Sequence, residues 1–486
     1  MSTTTATCSR RVRRGSRRPA SILFNTMAVV GIHNSNTTAK DRTRNGKPIQ
    51  VSFCLKRPPQ PSKLFVHSSD LNLSVPTDII YSVDDLLLLR VNMGSGPWAR
   101  YDKDYDYYVY RADPALPSLE LLRRPHPYFY RTDVGLLPRP GGHYTLAALN
   151  FTGIVHQFEL HVFHSDTSTW ASRVLSVAAP QEDFKVSIPP RCDRLLLHHT
   201  TTVITIGGEG GTMGWVDLWR GILLCDVLDA EPSLRGMPLP LPLVEMGYNN
   251  GLGIDLGNPA QRRGITFIRG KACLNFVHLE ITEECFPEVD EETESIRVRV
   301  DDWVLTTWSN KKMSSSLEDW HKESVVQASS IAIDPAISRV LEDTGLLHGA
   351  SDNDAAAERR DLQNLSIYQP TPSITGENVV YLVAREKFSH PKAWILAVDM
   401  KNEGRVQSAA YFGIRQYFGL DIIYCHSRIS KYMSPVKYEN PATTSVDEDV
   451  EEELGEGGEE DDVKELGEEE LIALLKMITT ISGCQP

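Results

Sequence analysis

Histidines, paired carboxylates, glycine-rich turns and cysteines are the groups in this chain that could do chemistry, and their spacing argues against most of it. His156, His161 and His164 are close in sequence. On an extended strand, however, His156 and His164 face opposite to His161, so the three do not converge on a metal. His198 and His199 are adjacent and diverge in the same way. Gly264 to Lys271 has the outline of a phosphate loop, yet five residues separate Gly264 from Gly270 and Ala272 stands where a hydroxyl is needed. The run Gly207 to Gly211 could cradle a phosphate, but no helix follows to lend its dipole, so a hairpin turn is expected there. Asp301 and Asp302 alternate across a strand ahead of Trp303, which ill suits an acid–base pair. No G-x-S-x-G elbow occurs. The sequence therefore offers no catalytic, cofactor-binding or metal-ligating constellation, and no cofactor is expected.

The eight cysteines (Cys8, Cys54, Cys192, Cys225, Cys273, Cys285, Cys425, Cys484) contain no C-x-x-C pair and are too sparse for a disulfide scaffold. Cys225 and Cys273 lie in apolar runs and read as small buried hydrophobes. A reduced, intracellular body is the expectation, in nucleus or cytoplasm. The Arg-rich, acid-poor stretch 1–40 leaves organellar targeting or nuclear import open as readings of the N-terminus.

Charge is stored unevenly. The formal net charge is -14, but residues 447–470 hold fifteen acids against the single base Lys464. Residues 1–69 carry thirteen Lys or Arg and one acid, Asp41, which leaves the stretch 70–446 mildly acidic. An acidic body repels phosphates, which argues against nucleic acid as a partner. No apolar run approaches the ~20 residues of a membrane helix, so no membrane partner is expected.

The elements that must position any site read as strands. Phe158, Leu160 and Val162 share one parity against Gln157, Glu159 and His161, giving a half-buried strand over Val155–Phe163. Val203–Ile206, Trp215–Trp219 and Gly221–Leu228 read as strands around the glycine turn, and Val379–Val383 and Trp394–Val398 as strands buried on both faces. Helical periodicity is best at Ala336–Leu347. Glycine turns recur at Gly141-Gly142, Gly207-Gly208, Gly270 and Gly376, spaced by 66, 63 and 106, the last close to two shorter periods. A repeat near 60 with Trp at strand ends predicts a β-propeller-like array of about six blades, with Trp170, Trp219, Trp303, Trp308 and Trp320 filling the wedges. Paired β-sandwiches are the alternative.

One stretch resembles a known family. Gly214-Trp215-Val216-Asp217-Leu218-Trp219-Arg220-Gly221-Ile222-Leu223-Leu224-Cys225-Asp226-Val227-Leu228, followed by Leu234-Arg235 and Pro238-Leu239-Pro240, is similar to the signature of a grass-abundant plant family, domain of unknown function 1618. Tyr107–Ala112, Val380–Leu382 and Ala393–Met400 extend the resemblance over roughly 50–415. It implies no established activity and a repeat style similar to F-box-associated propellers. Within the signature, Trp215, Asp217, Trp219, Arg220, Gly221, Cys225 and Asp226 read as structural: Asp217 and Asp226 at strand ends can accept backbone N–H bonds, and Arg220 can pair with either.

The expected organisation is a disordered basic head over 1–50, a propeller-like body over 51–440 with the signature region about 215–350, an acidic disordered tail over 441–470 and a short amphipathic helix over 471–483. The functional expectation is a non-catalytic protein-interaction module with a protein partner and an oligomeric state the sequence does not specify. An enzyme with a central pocket and a nucleic-acid-associated factor acting through the Arg-rich head are the alternatives.

Overall fold

A computed structural model describes residues 19–71, 73, 77–93, 104–123, 126–179, 197–240, 258–347, 361–401, 404–412 and 424–434. The Arg cluster at 10–18, the acidic stretch 441–470 and the helix expected at 471–483 lie outside the described residues. No helix among the described residues is long and apolar enough to cross a membrane.

The chain opens with β1 (Ile22–Asn25), β2 (Val29–Val30), β3 (Ala39–Arg42), β4 (Pro48–Cys54) and β5 (Pro61–His67). Four antiparallel meanders of four strands follow. They are β6 (Asp78–Val83), β7 (Leu86–Asn92), β8 (Tyr105–Arg111) and β9 (Ser118–Leu121), then β10 (Val134–Pro138), β11 (Tyr144–Phe151), β12 (Gln157–His164) and β13 (Thr169–Ala179). Next come β14 (Thr202–Gly207), β15 (Thr212–Asp217), β16 (Gly221–Asp226) and β17 (Leu234–Pro238). A one-turn helix α1 (Pro259–Arg262) leads into β18 (Arg263–Ile268), β19 (Cys273–Asp290), β20 (Ser295–Asn310) and β21 (His321–Gln327). After β22 (Ala332–Ile333) and α2 (Pro335–Asp343), a fifth meander contains β23 (Ser366–Pro372), β24 (Val379–Arg385), β25 (Trp394–Asp399) and β26 (Arg405–Tyr411). The last strand, β27 (Tyr424–Ser427), returns to the beginning.

That return closes a ring. β27 pairs antiparallel with β1, and the first sheet runs in the order β27-β1-β5-β4-β3. A strand from the end of the described chain is thus the innermost strand of a sheet otherwise built from residues 22–67. With five meanders this gives six sheets, whose innermost strands β27, β6, β10, β14, β18 and β23 all line one central cavity. The fold is a six-bladed propeller, and the sandwich alternative falls. The outer edges of the third and fourth blades also touch, through parallel pairing of β13 with β17 at Val177↔Leu234.

Strand alternation explains the packing. In β7, Leu87 and Leu89 face the first blade, while Leu86 and Leu88 face the third. Trp215, Leu223 and Cys225 pack toward the third blade, and Val216, Ile222 and Leu224 toward the fifth. Successive side chains of a strand point to opposite faces, so a strand sandwiched between two blades needs a continuous apolar run. The described hydrophobic core accordingly divides into six clusters, one per interface between neighbouring blades. Full burial of each Leu, Ile or Val in them is worth about 1.5–3 kcal/mol.

The tryptophans occupy those wedges. Trp215 Nε1 donates to the Asp133 carbonyl at 2.7 Å, Trp303 Nε1 to Leu362 at 3.0 Å and Trp320 Nε1 to Pro238 at 2.9 Å, each reaching an adjoining blade. Trp219 is buried, whereas Trp170 and Trp308 are half-buried against the clusters they flank.

Three expectations change. Residues 22–50, assigned to a disordered head, are largely folded into the first blade. β1 finds its partners at 61–62 and 424–427, so no local pairing marks it, whereas β3 pairs with the nearby β4. Among its described residues, the 106-residue gap before Gly376 contains no extra blade. It is filled by the long hairpin β19–β20 and the helical segment with α2, while the missing sheet is the one closed by the C-terminal strand. The four glycine landmarks are all the turn after an innermost strand, in blades three to six. Lastly, Cys285, exposed on β19, is disulfide-bonded where a thiol is expected, whereas Cys54, Cys225, Cys273 and Cys425 are free thiols.

The central channel and the signature turn

The six innermost strands run the same way through the ring, which gives the channel a leading end where they begin and a trailing end where they finish. Gln369 Nε2 donates to the Tyr424 carbonyl at 2.9 Å at the leading end, and Ser82 and Ser427 share a 2.7 Å hydroxyl contact at the trailing end. Between them lies a cavity of about 270 Å³. Its wall carries hydroxyls from Thr26, Thr132, Thr202, Thr205, Thr371 and Ser427 and four guanidiniums, Arg131, Arg263, Arg269 and Arg428. Asp84 is the one carboxylate among the described lining residues, and it is paired with Arg269.

The titratable groups in this wall are held out of acid–base work. His426 Nδ1 accepts from the Ile374 N–H at 3.3 Å, which leaves Nε2 to donate to Ser21 Oγ at 2.7 Å. Burial, with Arg428 adding to it, pulls its pKa down to about 3, so the ring is neutral at physiological pH. Burial pushes the Cys425 thiol far up, away from thiolate formation. It likewise pushes the Tyr81 phenol up to about 12, although Thr205 hydrogen-bonds its hydroxyl at 2.9 Å. Arg263 is almost fully buried: Nη1 donates to Leu218 at 2.8 Å and Nη2 to Pro240 at 2.7 Å, with the guanidinium 4.9 Å from the Trp219 ring centroid. It locks the fourth blade to the fifth.

At the leading face the connection into β10 is exposed and ordered. The Tyr128 and Tyr130 rings lie 5.2 Å apart, and Asn150 Nδ2 donates to the Tyr128 carbonyl at 2.7 Å, tying the loop to the end of β11. Phe151 ends β11, Ile154 and Val155 follow on the β11–β12 turn, and all three are exposed, as both tyrosines are. The strand expected from Val155 thus begins at Gln157, because Ile154 and Val155 belong to the turn. Arg131, next to this patch, is half-buried in the channel wall and makes no hydrogen bond or ion pair with the described residues. Behind it, burial raises the Asp133 carboxyl to about 7, despite a 3.1 Å hydrogen bond from Thr132.

The signature residues sit elsewhere, in the third and second strands of the fourth blade and their turn. Trp215 and Cys225 belong to the wedge against the third blade. Asp217 is fully buried; its carboxylate accepts the Trp219 N–H at 3.0 Å and the His199 N–H at 2.8 Å, tying the turn to the segment that enters β14. Arg220 is buried and closes the turn through its N–H to the Asp217 carbonyl at 3.0 Å, and Gly221 faces Asp217 in the ladder. Asp226 accepts the Thr212 hydroxyl and lies 3.8 Å from Arg235.

The histidines flagged in the sequence stay apart from one another's chemistry. His156 lies in the β11–β12 turn with positive φ, His161 Nδ1 meets Ser172 Oγ at 2.6 Å, and His164 Nδ1 meets Thr145 Oγ1 at 3.0 Å. Among the described residues, no group of three or more His, Cys, Asp or Glu is placed to hold a metal ion. Gly207 to Gly211 forms the β14–β15 hairpin turn, and Gly264 to Lys271 is strand and turn. The channel arginines were not legible as a set: Arg131, Arg269 and Arg428 are far apart in sequence and share one channel only because the ring closes.

Comparison with known proteins places residues 215–381 on the family model described as Protein of unknown function (DUF1618), which covers the signature turn and extends into β24. Among solved structures, the α-L-arabinanase of Penicillium chrysogenum complexed with arabinobiose is similar over 82% of this chain and 88% of its own, at 9% identity and a TM-score of 0.29. The WD40 domain of SCAP from fission yeast is similar over 84% and 90%, at 9% identity and a TM-score of 0.31. The β-propeller domain of Myceliophteria thermophila Cps50 (Swd1) is similar over 78% and 88%, at 10% identity and a TM-score of 0.28. No curated protein matches the chain.

Proposed function

We propose that this protein is a non-catalytic interaction module that docks a partner protein on the leading face of its propeller. One observation carries the reading: Tyr128, Tyr130, Phe151, Ile154 and Val155 are all exposed at one blade, beside the unpaired Arg131. Tyrosine, phenylalanine and arginine are the residue types that concentrate binding energy at protein interfaces. Folded monomers seldom leave apolar groups together in water without a use for them. The Asn150 bond to Tyr128 and the Thr152 hydroxyl bond to the Gln157 carbonyl at 3.0 Å hold the patch in shape before a partner arrives, which lowers the ordering cost of binding. Arg131 asks that partner for an acidic group. The neutral His426, the protonated Cys425 and the ion-paired Asp84 favour this over chemistry in the channel.

The test is site-specific photocrosslinking of the full chain in cells that express it. A photoreactive residue at position 130 is expected to capture a discrete partner, and Ile154→Glu with Val155→Glu is expected to abolish the capture. A photoreactive residue at the exposed Val340 on α2, in a different blade, serves as control. Equal capture from 130 and 340, or capture that survives the double substitution, refutes the proposal.

A further inference from the structure

We propose that the trailing end of the channel is a binding site for a small oxyanion, a phosphate or a carboxylate, seated on Arg428 with Arg269 beside it. This is independent of the leading-face patch. Arg428 follows β27, the strand that closes the ring, and its Nη2 donates to the Ile374 carbonyl on the neighbouring blade, which fixes the plane of the guanidinium. Its Nε is sealed from solvent and meets no acceptor. A buried donor attached to a positive charge is an unfavourable thing to leave unmatched, and a planar guanidinium fork matches an oxyanion in shape as well as in charge.

The surroundings point the same way. The one carboxylate among the described lining residues, Asp84, is committed to Arg269, and its neighbour Asp85 is committed to Arg111. Asp84, Arg269 and Arg428 each directly follow an innermost strand at its trailing end and line the same cavity. His426, two residues before Arg428, has both ring nitrogens committed, to Ile374 and Ser21, and the Ser82 and Ser427 hydroxyls lie within the same wall. The charge that completes Arg428 therefore comes from a ligand, and the cavity of about 270 Å³ leaves room for one.

Titration calorimetry of the full chain with inorganic phosphate, and separately with acetate, tests the site and tells the two oxyanion sources apart. Uptake of either is expected. Arg428→Gln is expected to weaken it by about tenfold or more, the loss associated with one charge-assisted bond. Because Arg428 also ties two blades together, a second variant is needed that leaves that tie intact. Asp84 has φ 49°, a left-handed conformation that asparagine adopts readily, so Asp84→Asn keeps the turn and frees Arg269. It is expected to tighten uptake severalfold. Arg297→Gln, exposed on the β19–β20 hairpin and outside the channel lining, is expected to leave it unchanged. The proposal is overturned by absence of uptake of both anions, by uptake that Arg428→Gln leaves undiminished, or by weakening on Asp84→Asn.

Discussion

A tight approach of two blades predicts the cost of a single methyl group. Gly264 lies in β18, innermost in the fifth blade, and a Cβ built there would stand 1.9 Å from the Pro370 carbonyl oxygen of β23 in the sixth. Contacts of this kind do not occur below 3.0 Å, so the two strands would have to part by more than 1 Å. The obstacle is backbone, which cannot rotate aside as a flexible side chain could. Separating the strands also strains the 5/6 wedge that holds Val277, Leu279, Trp303, Ile367 and Leu382. Overpacking in well-packed cores costs about 1–3 kcal/mol, occasionally more. With so short a distance to an immovable atom, about 3 kcal/mol is expected for Gly264→Ala. The entropy the alanine removes from the unfolded chain returns about 0.4–1 kcal/mol, leaving a net loss of about 2 kcal/mol or more. Gly270, six positions on in the turn that follows, has no heavy atom within 4 Å of its Cβ position, and Gly270→Ala is expected to be neutral or slightly stabilising. The assay is urea unfolding of both full-length variants against the parent, read by the fluorescence of the buried Trp215, Trp219 and Trp303. A Gly264→Ala midpoint within about 0.5 kcal/mol of the parent, the usual scatter of neutral surface changes, would refute the close-packed ring. So would an equal loss from Gly270→Ala.

Three further outcomes are expected. Asp217→Asn should cost about 1–3 kcal/mol in the same unfolding assay, because the amide keeps one acceptor oxygen for two buried N–H groups, those of Trp219 and His199. His426 is held neutral to about pH 3 in the fold but takes up a proton near 6.5 once unfolded. The unfolded chain then binds more protons between these values, so stability should fall as pH drops from about 6.5 toward 3, and His426→Asn should flatten that limb of the curve. Asp133 behaves oppositely. Its folded pKa near 7 lies above the ordinary carboxyl value of 3.8, so stability should be lost as pH rises through 7. Asp133→Asn should gain stability over the parent at pH 8 and not at pH 4, measured by denaturant midpoints at both; a gain at pH 4 would contradict the assignment.

Much of the blade was readable because a strand between two neighbours must be apolar on both faces. Val379 to Val383 and Trp394 to Val398 carry that demand in the residues themselves, and the glycines at 141, 207, 270 and 376 mark the same turn in four blades because positive φ or open space recurs there. The tryptophans were readable as wedge residues for a similar reason: a large indole is best covered between two blades, where its N–H also finds a carbonyl. The first blade was not readable. Ile22-Leu23-Phe24 is too short to announce a strand, and half of its pairing comes from residues about 400 positions away.

The site follows the same division. Local sequence determined that Asp217 and Asp226 would sit at strand ends and accept hydrogen bonds, since both partners lie within about one hairpin of them and short-range geometry suffices. Only ring closure put Arg428, Arg269 and Asp84 in the wall of one channel, with Arg131 at its other end. A channel is a property of six blades at once, and side chains that converge on its axis share no period, spacing or neighbour in the chain. Charge balance at its mouths was decided by tertiary structure alone.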